Sequence, residues 1–166
     1  MKIFIELPTW LGDSVMATPA IENLINFFNN SQITLIGSVA AIEILKHHPK
    51  VTNTYVLPKN YYSLYKTVKG MGNIDVFFSF RNSFRSKFMK FFISSKRKYQ
   101  FNRNKFTNIH QVEKYNNFVN RSLNTNSLAG KLILHTEKKS KFHNNKLLGI
   151  NPGASYGEAK RWYPKE

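Results

Sequence analysis

Leu7-Pro8-Thr9-Trp10-Leu11-Gly12-Asp13-Ser14-Val15-Met16 is the stretch on which the reading of this chain turns. It follows the apolar run Ile3-Phe4-Ile5 and precedes Ala17, Ile21, Leu24, Ile25 and Phe28, which keep a helical spacing. The stretch therefore reads as a strand-to-helix crossing at the carboxyl edge of a sheet, where open α/β folds bind ligands. Its single carboxylate, Asp13, lies between Gly12, which lets backbone approach a ligand closely, and Ser14. Asp13 fits a helix N-cap, and it also fits a general base that takes a proton from an attacking hydroxyl. The two roles are compatible, because a cap is held rigidly where a substrate can reach it. Pro19 implies either that Thr18 caps a helix starting there or that a turn opened by Asp13 kinks at that point.

Outward from this crossing the chain alternates. Ile33 to Ile36 reads as a strand ending at Gly37, and Val39, Ile42 and Leu45 mark a helix closed by His47, His48 and Pro49. Thr54 to Leu57 is a further strand, Tyr61 to Val68 a helix, and Asp75 to Phe80 a continuous apolar strand of the kind buried on both faces. Phe84, Phe88 and Phe91 then fall on one helical face, with Arg85 and Lys90 off that stripe. Lys96 to Phe101 fits a fifth strand, and Ile109, Val112, Tyr115, Phe118 and Val119 an amphipathic helix. The rhythm predicts an α/β fold with a Rossmann-like parallel sheet and helices on both faces.

The expected organisation is a first domain over residues 1–123, a polar linker region over 124–146, and the incomplete start of a second domain over 147–166. The last begins as a strand, Leu147 to Ile150, and runs into Asn151-Pro152-Gly153-Ala154-Ser155-Tyr156-Gly157-Glu158-Ala159-Lys160-Arg161-Trp162. The glycines there permit tight turns, Ser155 and Tyr156 carry hydroxyls, and Lys160 and Arg161 carry charge, a combination suited to cradling a pyrophosphate. Neither the Walker spacing nor the Gly-x-Gly-x-x-Gly fingerprint is present.

Length and composition bound the rest. The chain has 166 residues, enough for one ordinary domain, and 42% of them are hydrophobic. It contains no apolar run long enough to span a bilayer, no recognisable signal peptide and no cysteine, which fits a cytosolic setting. Lys and Arg number 25 against 9 Asp and Glu, a formal net charge of +16. Such a surface attracts polyanions: nucleic acid, an anionic membrane, or a phosphorylated or carboxylated substrate. Arg81, at a strand end, should face the same crevice as Asp13, and Arg85, Lys96, Arg97, Lys98, Arg103 and Lys105 extend the basic set. The five histidines have no metal-ligand spacing, and no Gly-x-Ser-x-Gly elbow or cysteine nucleophile exists, so no metal site and no hydrolase triad is expected.

Two segments together, Leu7 to Pro19 and Asn151 to Trp162, resemble the hallmark stretches of the ADP-heptose:lipopolysaccharide heptosyltransferases of glycosyltransferase family 9, most of all heptosyltransferase II. Asn82-Ser83-Phe84-Arg85-Ser86 is also similar. The resemblance implies a GT-B architecture, of which this chain would supply the amino-terminal, acceptor-binding domain and the start of the donor-binding one. It implies inverting transfer of heptose from ADP-L-glycero-D-manno-heptose to the heptose of the inner core, without a cofactor and without a metal. Asp13 would be the catalytic base, Ser155, Tyr156 and Lys160 would contact the donor diphosphate, and Trp10, Gly12, Ser14, Arg81 and Arg85 would serve the acceptor. The positive charge would meet the Kdo carboxylates and lipid A phosphates of an anionic acceptor, at the cytoplasmic side of the inner membrane as a peripheral protein. Nucleic acid is no partner in this reading, and the 166 residues by themselves are expected to be inactive. The alternative is a basic binding module for nucleic acid or anionic lipid.

Overall fold

In the computed structural model, which describes residues 1–136, 148–154 and 157–162, five strands form one parallel sheet. They are β1 (Lys2–Glu6), β2 (Gln32–Gly37), β3 (Val51–Val56), β4 (Ile74–Ser79) and β5 (Ser95–Gln100), in the order β3-β2-β1-β4-β5. Ile3 lies opposite Ile33 on one side and Val76 on the other, and Ile5 opposite Leu35 and Phe78. The chain winds outward from β1 to β3, then returns to the far side of β1 with β4. Loops leaving β1 and β4 therefore diverge, which opens a crevice at their carboxyl ends.

Among the described residues six α-helices cover the sheet: α1 (Leu11–Met16), α2 (Thr18–Phe27), α3 (Val39–Leu45), α4 (Tyr61–Gly70), α5 (Phe84–Phe92) and α6 (Gln111–Leu123). The two-residue period of β1 sends Ile3 and Ile5 to one face, against α2, α3 and α6, and Phe4 to the other, against α4 and α5. On the first face Phe78 is fully buried, with the rings of Tyr99, Phe118 and Phe28 centred 4.7, 6.0 and 6.4 Å away. The second cluster is smaller, built around Leu64, Val68, Phe77, Met89 and Ile93.

The expected α/β class and element order are borne out, with four local differences. Strand β3 starts at Val51 rather than Thr54. Helix α1 begins at Leu11, so Trp10 occupies the cap position without a side-chain bond and Asp13 sits inside the first turn. Asp13 is thus no N-cap, although a carboxylate there still complements the helix dipole. Thr18 does not cap a helix at Pro19 either. Ala17 separates α1 from α2, Pro19 falls in the first turn of α2, and the Thr18 hydroxyl donates to the Val15 carbonyl at 2.8 Å.

The third difference is the orientation of α5. Its buried side carries Ser86 and Met89, while Phe84 and Phe91 are each 77% exposed. Periodicity defines a stripe but not which way it faces, and the Ser86 side is held inward by polar contacts described below. The fourth lies beyond α6, which ends at Asn124 in the left-handed conformation (φ 55°). Residues 125–136 form no helix or strand, and they are tied down. Asn116 and Asn120 donate to the Ser127 carbonyl at 2.7 and 2.8 Å, and Ile133 N–H donates to Thr18 Oγ1 at 3.2 Å. Residues 148–150 are exposed and not in a strand, since no neighbouring strand among the described residues completes their ladder.

Candidate active site

At the crevice between the ends of β1 and β4 is a cavity of about 450 Å³. The loop after β1 gives it Pro8, Thr9 and Trp10, α1 gives Asp13 and Met16, the loop after β4 gives Phe80 to Ser83, and Phe101, Arg103, Gln111 and Tyr115 close the far wall. Among the described residues Asp13 is the sole carboxylate on this wall, and Arg81 and Arg103 are its cations. Tyr115 is almost fully buried; burial first, and then the negative charge of Asp13, push its phenol well above the ordinary range. Its hydroxyl therefore stays protonated, in a side-chain hydrogen bond with Gln111.

A buried network under the cavity fixes Arg81. Glu6, the last residue of β1, points to the α4–α5 side and is completely buried. The hydroxyls of Ser79 and Ser86 donate to its Oε2 at 2.6 Å each, and Gln100 Nε2 donates to Ser86 Oγ at 3.2 Å. Glu6 Oε1 accepts no hydrogen bond among the described residues and meets Arg81 Nη1 at 3.4 Å. Burial pushes the Glu6 carboxyl above the usual carboxylate range, against the Ser79 and Ser86 hydrogen bonds and the Arg81 and Arg85 charges, which pull it down. Sequence reading missed Glu6 as a site residue. The signal was a carboxylate on the inward-facing register of an otherwise apolar strand, two positions after Phe4.

The expected site residues divide. Asp13, Trp10 and Arg81 converge on the cavity. Gly12 is exposed with nothing within 4 Å of a built Cβ, and it does not line the cavity. Ser14 is fully buried, and its hydroxyl donates to the Pro8 and Trp10 carbonyls at 3.2 and 3.1 Å, so it holds the loop rather than facing the cavity. Arg85 turns away as well: it donates to the Lys59 carbonyl at 2.7 Å and to that of Pro58. Lys160 is exposed at the end of a single 3-10 turn (Glu158–Lys160). Trp162 N–H donates to the Pro152 carbonyl at 2.9 Å and Arg161 Nε to that of Ala154 at 3.0 Å, closing this segment into a loop, with Gly157 at φ +86°. Ser155 and Tyr156 lie outside the described residues.

A second polar cluster, also missed from sequence, joins Glu22 of α2, His48 after α3 and His135, distant in sequence and within 4.8 Å through their ligand atoms. The Lys50 N–H donates to His48 Nδ1 at 3.1 Å, which leaves the proton on Nε2 to donate to Glu22 Oε1 at 2.8 Å. A metal on Nε2 would break that arrangement. His135 packs its ring edge-on against His48 at 4.6 Å, and its Nε2 stands 3.6 Å from Glu22 Oε1 with no hydrogen-bond partner among the described residues.

No family model matches the chain. Among curated proteins, it is 41% identical to lipooligosaccharide heptosyltransferase 2 of Campylobacter jejuni serotype O:2 and 40% identical to that of serotype O:6, each over 98% of this chain. The chain spans about half the length of these relatives, 53% of each. Among solved structures, it superposes on a glycosyltransferase family 9 protein of Veillonella parvula with TM-score 0.66 at 16% identity, over 82% of this chain and 45% of that one. It superposes on Escherichia coli ADP-heptose lps heptosyltransferase II with TM-score 0.62 at 18% identity, over 85% and 47%. The match to E. coli heptosyltransferase WaaC, solved with ADP-2-deoxy-2-fluoro heptose, has TM-score 0.63 at 12% identity, over 80% and 51%. The resemblance seen in the two motifs thus extends over the chain, which is homologous to the lipooligosaccharide heptosyltransferases and has the Rossmann-like fold of glycosyltransferase family 9.

Proposed function

We propose that the chain is the acceptor-binding part of a glycosyltransferase that moves heptose from ADP-L-glycero-D-manno-heptose to the heptose of the lipopolysaccharide or lipooligosaccharide inner core. The observation that carries this reading is Asp13, the sole carboxylate among the described residues on the wall of a switch-point cavity, in a chain homologous to heptosyltransferases. Asp13 takes the proton of the acceptor hydroxyl as its oxygen attacks the anomeric carbon opposite the departing ADP, so the configuration inverts. Arg81 and Arg103 attract the carboxylates and phosphates of an anionic Kdo-heptose-lipid A acceptor.

Lys160, with Ser155 and Tyr156, belongs to the donor diphosphate in this reading, where a cation and backbone N–H groups offset the charge developing on the leaving group. That assignment gives the task to protein groups rather than to a metal. Work on such an acceptor places the protein at the cytoplasmic face of the inner membrane.

The experiment is direct. A full-length version of the chain, supplied with ADP-heptose and a Kdo-heptose acceptor, releases ADP in step with a new heptosyl product. Absence of transfer, together with steeply salt-dependent binding to single-stranded nucleic acid, would replace this reading with the basic binding module.

A further inference from the structure

Phe84 and Phe91 of α5 look outward, Phe88 and Phe92 are half-buried against the apolar cluster beneath, and tyrosines of α4 continue the aromatic surface. Tyr61 and Tyr62 are exposed on α4 alongside Tyr65. Tyr61 meets Phe88 edge-on with centroids 5.2 Å apart, and Tyr65 meets Phe92 at 5.0 Å, so the two helices share one aromatic ridge. Cations thread it: Lys66 Nζ stands 4.7 Å from the Tyr62 ring centre, Lys69 Nζ 5.9 Å from that of Tyr65, and the Arg85 guanidinium 5.5 Å from that of Tyr61. Neither helix contains a carboxylate, and Asp75 is the sole acid between Glu43 and Glu113 in the sequence. Asp75 is itself paired with Lys96 at 2.7 Å.

Exposed rings grouped with cations and no acid need a partner that is apolar in depth and anionic at its surface. An anionic bilayer has both properties. Aromatic rings settle at headgroup depth, and lysines lay their stems along the apolar zone while their ammonium groups meet phosphates. Single-stranded nucleic acid also offers phosphates, but stacking platforms for it line a groove that tracks the backbone. Here Phe84 and Phe91 stand out from α5 into solvent, each 77% exposed.

We infer that the α4–α5 ridge docks the protein on an anionic lipid surface. Helix α5 starts at Phe84, next to Ser83 on the wall of the Asp13 cavity. A bilayer under the ridge thus lies beside the cavity, where a lipid-linked acceptor would emerge. That last link rests on the acceptor proposed above, whereas the docking itself does not.

Vesicle sedimentation tests it with the chain as it stands. The protein should pellet with vesicles of phosphatidylglycerol in phosphatidylcholine and remain free with phosphatidylcholine alone. Phe84→Ser with Phe91→Ser should lower partitioning at least tenfold, by about that order per buried ring pair, with an unchanged thermal melt. Lys66→Gln with Lys69→Gln should lower it about 25-fold, roughly fivefold per lysine. Lys50→Gln with Lys105→Gln, the same charge change elsewhere, should do far less.

Equal losses from the two lysine pairs and none from the phenylalanine pair would overturn the inference in favour of whole-molecule charge. Self-association that the phenylalanine pair abolishes, without vesicle binding, would make the ridge an interface between copies. Binding of a single-stranded RNA oligonucleotide in place of vesicles, with the same dependence on the phenylalanines, would assign it to nucleic acid. No arm reads heptose transfer, so failure of the proposed reaction leaves this result standing.

Discussion

The two faces of the sheet are built differently. The face under α2, α3 and α6 is filled by a continuous aliphatic and aromatic cluster, with Phe78 at the meeting point of three other rings. The face under α4 and α5 has a smaller apolar cluster, a buried carboxylate network at its cavity end, and an aromatic ridge on its outer side. The first face supplies stability through close packing. The second gives up some of that packing to hold charge near the cavity and to present rings to solvent.

Substitutions separate these roles. Phe78→Ala should have the largest effect, about 4 kcal/mol lost in denaturant unfolding, because it opens a cavity among ordered rings. A loss below about 1 kcal/mol would mean that the larger face is not the main core. Glu6→Ala should cost about 3 kcal/mol, since it leaves the Arg81 charge without its carboxylate and the Ser79 and Ser86 hydroxyls with only each other and the Arg81 carbonyl as acceptors. Glu6→Gln keeps hydrogen-bonding capacity without a buried charge, so its melting temperature should stay near that of the parent. If both variants melt alike, the network does not hold Arg81 as described.

A smaller effect is expected from pH on the first face. Burial holds the His48 imidazole below its ordinary pKa, against the pull of Glu22. A depressed imidazole contributes stability that is present above the unfolded value, near 6.5, and is lost as pH falls through the folded one. The melt should therefore drop by a few degrees between about pH 7.5 and pH 5.5, and His48→Gln should flatten that slope. An unchanged slope would remove His48 as its source. The smallest effect belongs to the ridge: Phe91→Ser should shift stability by less than about 0.5 kcal/mol, and a core-sized loss would show that the ring is buried in solution.

These differences also explain what the sequence could disclose. The strand and helix rhythm was readable because buried parallel strands such as Asp75 to Phe80 are continuously apolar, and the crossing at Leu7 to Met16 located the cavity because strand ends cluster at one sheet edge. The facing of α5 was not readable. Its phenylalanines have the right period, but only the tertiary link from Ser86 to Glu6 turns the helix so that Phe84 and Phe91 face solvent while Phe88 stays half-buried. The Glu22, His48 and His135 cluster was invisible for the same reason, since its members meet only after α2, α3 and the segment beyond α6 have packed. Ser14 and Arg85 were singled out by residue type and place in a motif, and in the fold their polar atoms are spent on neighbouring carbonyls.

The central claim concerns Asp13, the feature common to the motif and the cavity. It is tested most directly by heptose transfer from Asp13→Asn and Asp13→Ala forms of a full-length version, measured alongside ADP-heptose binding. Both variants should lose at least about 100-fold in kcat while donor affinity and thermal melt stay near the parent values. Transfer at the parental rate by either variant would contradict the assignment of Asp13 as the base.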